Sequence, residues 1–191
     1  TMDELTEQFD LTRISHTRST LPLDKLAYLN KHHLRCKLER ARHCEKTRYS
    51  IVKMRLRPIL DRMFGADAMR DMSDDYILRV AMLGQQRVDT LLQVPERMAY
   101  MFTEPNWDSR TCRDFRATVP TASFQHVVIA AQALFQHTRD IHADWPAWMT
   151  TQASQVAGGK AAVQKSLRIA LSGERAGPPV AEIAEVLGLH R

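Results

Sequence analysis

The sequence predicts an all-helical protein, and three observations carry that reading. Apolar residues recur at i, i+3 and i+4 along most of the 191-residue chain, the spacing of one buried helix face. Runs that alternate apolar and polar residues, as a half-buried strand requires, are few. The seven glycines fall mainly where a helix has to stop or turn. A hydrophobic content of 44% in a chain of this length can fill one large core or two small ones. No apolar run reaches the roughly 18 residues needed to cross a bilayer, the longest candidate being His126 to Phe135.

Taken in order, the pattern gives about eleven helical segments. Pro22 stands at the first turn of a helix over Leu23 to Leu34, a position where a missing amide costs nothing. The long basic region that follows reads as a second helix ending near Gly65. Ser73 starts another, with Asp74 and Asp75 in the first turn, where peptide dipoles favour negative charge, and with Ile77, Val80, Ala81 and Leu83 as its apolar stripe. Pro95 interrupts the next pattern. Residues Glu104, Pro105, Asn106, Trp107 and Asp108 combine turn formers with lost periodicity, which places a boundary between a first helical subdomain, 1–105, and a second, 106–191. In the second, helices are expected over Ser109 to Ala117 and Ala122 to His137, and from Pro146 toward Ala157, where Gly158 and Gly159 break the pattern. A further helix carrying Leu167, Ile169, Ala170 and Leu171 stops at Gly173. Gly177, Pro178 and Pro179 start the last one, with Val180, Ile183, Ala184 and Leu187 at helical spacing before Gly188. Glu174 and Arg175 thus sit on a short loop held between two helices.

Charge is unevenly distributed. Between Lys31 and Arg57 there are ten Lys or Arg against two acids, Glu39 and Glu45, while the whole chain carries only +5. A stripe of that density attracts phosphates without regard to sequence; a solvated helix face with long side chains covering apolar surface has the same composition. Tyr28 and Tyr49 flank the stripe and suit either stacking or core packing. His32, His33, Cys36, His43 and Cys44 fall in the same region, but on a continuous helical pattern they lack the two close pairs that a structural zinc site presents. Three irregularly spaced cysteines make no disulfide framework and suit a reducing compartment, with Cys112 read as a small buried hydrophobe. Gly158, Gly159 and Lys160 end like a phosphate loop, without its earlier glycine and following Ser or Thr. The acidic start TMDELTE resembles neither a signal nor a transit sequence.

Three motifs, in one order, resemble the C-terminal region of glutamyl-tRNA synthetases. The first is FDLTRIS (Phe9 to Ser15) with LDKLAYLNKHHL (Leu23 to Leu34); the second is RVDTL (Arg87 to Leu91) with YMFTE (Tyr100 to Glu104). The third is the run LRIALSGERAGPPVAE, residues 167–182, which is similar to the spelling in the mitochondrial branch and has Ser172 where threonine is more common. The resemblance covers nearly the whole chain. It departs at Ser166, where a proline usually precedes Leu-Arg, at Tyr28, where tryptophan is common, and in the unusually basic segment from Cys36 to Arg57.

The resemblance implies an all-α, two-subdomain anticodon-binding fold that binds the tRNA for glutamate. It implies that Arg87 helps read the last anticodon base, that Arg168 belongs to the same surface, and that Gly177, Pro178 and Val180 form the loop and helix start approaching the splayed bases. Ser15, Lys25 and Tyr28 match positions near the tRNA stem. Core packing remains open for Val180 and Tyr28, and an ordinary salt bridge for Arg87 and Arg168. The HIGH-like and KMSKR-like motifs of the catalytic half are missing from this sequence, and no nucleophile is paired with a base by any signature. No cofactor is therefore expected here, ATP and magnesium belonging to a catalytic domain, and the chain alone should not charge tRNA. The alternative is a recruited, non-enzymatic RNA-binding subunit of an organelle ribonucleoprotein such as the mitochondrial ribosome; a protein-interaction scaffold is the third class. Expected partners are the glutamate tRNA or another structured RNA, and a catalytic domain or ribonucleoprotein assembly. The expected location is the mitochondrial matrix, otherwise the cytoplasm.

Overall fold

The computed structural model describes residues 2–13, 20, 22–138 and 140–188, all in helices, turns and loops with no strand among them. After a short α1 (Met2–Gln8), helix α2 (Leu23–His43) runs past the expected end at Leu34, because the apolar spacing continues through the buried Leu34, Leu38 and Ala41. It breaks at Cys44, whose backbone is extended, and α3 (Glu45–Ile51) follows at once. Arg48 fixes this corner by donating to the carbonyls of Ala41 and Arg42 and to Asp75. A cation at the end of α2 satisfies carbonyls the helix leaves open and complements its dipole.

The expected second helix is therefore three pieces. Between α3 and α4 (Arg57–Phe64) lies a wider, π-type turn, Val52–Leu56, in which the Arg57 amide reaches the carbonyl of Val52, five residues back. Pro58 accounts for it: the proline has no amide for the carbonyl of Met54, and its ring pushes against that carbonyl, so the coil opens by one residue. Gly65, at φ 92°, ends the run at the expected place.

The short α5 (Ala66–Met69) leads to α6 (Asp74–Gly84), where Ser73 accepts from the Tyr76 amide as the expected cap. A 3₁₀ turn (Leu91–Gln93), α7 (Val94–Arg97) and a second 3₁₀ turn (Ala99–Met101) complete the first half. Pro95 lies in the opening turn of α7, a position that needs no amide. The second half contains α8 (Arg110–Thr118), α9 (Thr121–His137), α10 (Ile141–Gln155), α11 (Gly159–Ser172) and α12 (Val180–Leu187). Two boundaries differ from expectation. Helix α10 starts at Ile141, not Pro146, because Asp140 caps it by accepting from the Ala143 amide, and Pro146 is carried inside. Helix α12 starts at Val180, with Pro179 as its extended cap residue.

Two main cores result. The larger gathers Leu38, Val52, Leu56, Leu60, Tyr76, Ile77, Val80 and Met101, and it also takes Ile183, Val186 and Leu187 from α12. The smaller gathers Val127, Ala131, Met149, Val163, Leu167 and Val180. Helix α12 thus buries one end in each core, and full burial of a residue such as Ile183 is worth about 1.5–3 kcal/mol. This double attachment fixes where the loop before α12 can lie.

Candidate nucleic-acid interface

The loop between α11 and α12 is shaped before any ligand meets it. Gly173 turns the chain at φ 68°, and a Cβ there would lie 3.2 Å from Pro105 Cβ, so both conformation and space ask for glycine. Ser172 Oγ donates to the Arg168 carbonyl at 2.7 Å and accepts from the Glu174 amide at 3.2 Å. Arg175 donates to Asp114 at 2.5 Å, fastening the loop to α8.

Two arginines then hold consecutive carbonyls of this loop. Arg168, on α11, donates to the carbonyl of Pro178 at 2.9 Å. Arg87, on the turn after α6, donates to the carbonyl of Gly177, a contact between residues 90 apart in sequence. The expected salt-bridge alternative does not describe either, since both partners are carbonyls. Each guanidinium has five donors in a planar fork, so these contacts leave most of the Arg87 fork available. Gly177 permits the approach: a Cβ on it would lie 3.0 Å from an Arg168 nitrogen and 3.7 Å from the Tyr100 hydroxyl.

Tyr100 lies beneath the pair. Burial pushes its hydroxyl up to about 12, although Arg87 and Arg168 pull the other way, so it stays protonated at neutral pH. Burial likewise holds the Arg168 guanidinium below the usual arginine value, Tyr100 opposes this, and Arg87 adds to it by repulsion. An acceptor entering the site would relieve that crowding of like charge.

In front of these residues is a groove of about 630 Å³. Its wall carries Arg87 and Arg97, and also Glu96, Glu104, Glu174 and Asn106. Such mixed lining disfavours a phosphate, which would meet the carboxylates, and suits base edges, which present donors and acceptors side by side.

The structure brings Arg87, Arg168, Gly177 and Pro178 into one constellation. Val180 adjoins it in sequence but is buried in the smaller core, so its side chain positions the loop from behind. Tyr28 is 71% exposed, not packed in the core, and Lys25 is exposed on the same helix. Helix α2 is tied to the Arg87 turn: Asn30 donates to the Asp89 carbonyl at 2.8 Å, Lys31 lies 3.5 Å from the Asp89 carboxylate, and Arg35 donates to Gln86 at 2.5 Å. Ser15 lies outside the described residues. Tyr100, Glu96 and Asn106 were not singled out from sequence; Tyr100 opens the YMFTE motif, which was the available signal. Cys36 Sγ lies 3.7 Å from His32 Nε2, and no group of three metal-ligating side chains occurs among the described residues.

Comparison with known proteins places the chain in a family. The family described as anticodon binding domain has a sequence model that matches residues 52–191. The chain is 28% identical to the glutamate–tRNA ligase of Syntrophobacter fumaroxidans, over 98% of this chain and 37% of that protein. It is 27% identical to the glutamate–tRNA ligase of Moorella thermoacetica, over 98% of this chain and 36% of that protein. The chain therefore spans little more than a third of the length of these relatives.

Proposed function

Because this chain belongs to the anticodon binding domain family, we propose that it reads the anticodon of the tRNA for glutamate, as the tRNA-recognition region of a glutamate–tRNA ligase. Membership makes tRNA the partner class; the names of the relatives support glutamate as the amino acid and ligation as the activity of the complete protein. The observation that carries the site is the pair of arginines on the Gly177 and Pro178 carbonyls. They fix a loop next to a groove whose mixed polar lining suits bases. One Arg87 donor holds the loop while the rest of its fork faces the groove, so a base acceptor is met by a guanidinium that is already oriented. Tyr100, neutral and buried, lines the same groove.

ATP and magnesium would be held by a catalytic domain, to which this chain would present the tRNA. The spelling of residues 167–182 supports a mitochondrial-type enzyme and a matrix location.

Competition between anticodon stem-loops tests the reading. The wild-type chain should prefer glutamate-type loops over loops changed at the third anticodon base. Arg87→Gln should remove about 1–3 kcal/mol of that preference, roughly 5-fold to 150-fold, while total RNA affinity falls less. A wild-type chain indifferent to the anticodon would assign it instead to recruited RNA binding.

A further inference from the structure

The ten cations between Lys31 and Arg57 do not form one surface. Several are held by the protein itself: Lys31 by Asp89, Arg35 by Gln86, Arg48 by Asp75 and two carbonyls, Lys53 and Arg57 by Asp74. Four others, Lys37, Arg40, Lys46 and Arg55, are exposed and have no hydrogen-bond or ion-pair partner among the described residues. These four line a single groove of about 730 Å³ between α2 and the α3 to π-turn segment.

Leu34, Ile51, Ile59, Leu91 and Leu92 also line the groove, so its cations stand beside apolar surface. Thr47, Ser50 and Asn30 add polar groups at its wall. The carboxylate lining it, Asp89, is already engaged by Lys31. At 1.5 Å per residue, Lys46 to Arg55 span roughly 13 Å, enough for the cations to meet more than one phosphate of a backbone. The π turn contributes directly, since the same short segment places Arg55 on the groove and Arg57 on Asp74.

The groove also adjoins the Arg87 groove along the chain. Asp89, Thr90 and Leu91, of the same RVDTL turn that carries Arg87, form its wall, so one turn has a different groove on each side.

We propose that Lys37, Arg40, Lys46 and Arg55 form a phosphodiester-binding groove that holds the RNA backbone next to the strand whose bases enter the Arg87 groove. The proposal rests on the RNA-binding reading above, but not on any anticodon preference. The groove supplies affinity common to all sequences, and the neighbouring site supplies the choice among them.

The test compares two fourfold variants of equal charge change. One replaces Lys37, Arg40, Lys46 and Arg55 with glutamine; the other replaces the exposed Arg62, Arg70, Arg79 and Arg113 with glutamine. Binding of one RNA hairpin is followed over a range of salt concentration. The groove variant should weaken binding at least tenfold and lower the slope of log affinity against log salt by at least two, given a slope of about 0.9 per phosphate, while the second variant should change it by less than one. Equal losses in the two variants would reduce the effect to overall charge and overturn the proposal. So would an unchanged slope, or RNA displaced equally well by polyglutamate. Acylation footprinting of the wild type adds a readout independent of folding of the variants: RNA should protect Lys37 and Lys46 but not Lys53, which is exposed outside the groove beside Asp74, and uniform labelling of all three would contradict the groove. If anticodon preference fails while slope and footprint hold, only the anticodon reading is lost.

Discussion

The two grooves flanking the RVDTL turn have opposite electrostatic character. On the Arg87 side, cations, carboxylates and an amide share one wall, and the Arg87 guanidinium is held by the Gly177 carbonyl. On the α2 side, four cations without a partner among the described residues line the groove, with its carboxylate already engaged. A phosphate needs only charge of the right sign, which mobile side chains on an open surface supply. A base needs donors and acceptors at set positions, which requires buried support and a rigid loop. On the proposed reading choice and affinity are separated in space, and the separation can be attacked from either side.

The largest effect should come from a cation that belongs to neither groove. Arg57 holds Asp74 and the carbonyls of Met69 and Met72. Arg57→Met should destabilise the chain by about 1–3 kcal/mol, a Tm lower by on the order of 2–10 °C, because it leaves the Met72 carbonyl without its donor, removes one donor from the Met69 carbonyl and leaves the Asp74 carboxylate to Lys53 alone. Its salt slope for RNA, measured below the melting range, should match the wild type. A slope that fell as for Lys37 or Arg55 would erase the distinction between structural and free cations.

A smaller effect is expected at Gly177. Gly177→Ala puts a methyl 3.0 Å from the Arg168 nitrogen that bonds Pro178, so this arginine must shift and loosen the loop. Preference among anticodon loops should fall by about 1 kcal/mol, with binding of a non-cognate hairpin unchanged. Equal weakening of both would show that the loop contributes to general affinity, not to choice.

The least effect concerns acid. Burial raises the Asp74 carboxyl, but hydrogen bonds from Arg57 and Lys53 outweigh it and hold the group below the usual carboxylate range. A depressed folded-state value stabilises the protein above the unfolded value, near pH 4, and the contribution disappears as pH falls through the folded value. Asp74→Asn should therefore flatten the loss of stability below about pH 4 while lowering stability at neutral pH. Melting curves at pH 3 to 7 that differ only by a constant offset would show that Asp74 titrates alike in the folded and unfolded states, against a depressed folded-state value.

How much of this was legible in the sequence depended on whether the cause was local. Caps and stops were: Ser73 and Gly173 act through their own backbone, and both helix ends fall where the residues place them. The π turn was not, because proline in a helical pattern reads as a start or a stop, and whether the coil widens instead is decided by Val52 and Leu56 being buried on either side of the turn. Helix α10 shows the same ambiguity at Pro146. The site was legible as motifs, but not as a geometry. Nothing local says that Arg87 meets a carbonyl 90 residues away, or that Tyr100 is buried on the same groove. The basic stripe was legible as composition alone; its division into held and free cations depends on Asp74, Asp75 and Asp89, which lie outside it in sequence.

The separation of choice from affinity is tested most directly by crossing two proteins with two RNAs. Arg87→Gln and the fourfold Lys37, Arg40, Lys46 and Arg55 variant are each titrated with a glutamate-type anticodon stem-loop and with one changed at the third anticodon base, across a salt series. The account predicts that Arg87→Gln loses most of the preference between loops with a salt slope within one of the wild type, while the fourfold variant keeps the preference and loses at least two from the slope. Both variants losing preference and slope together would mean one undivided RNA surface and would contradict it.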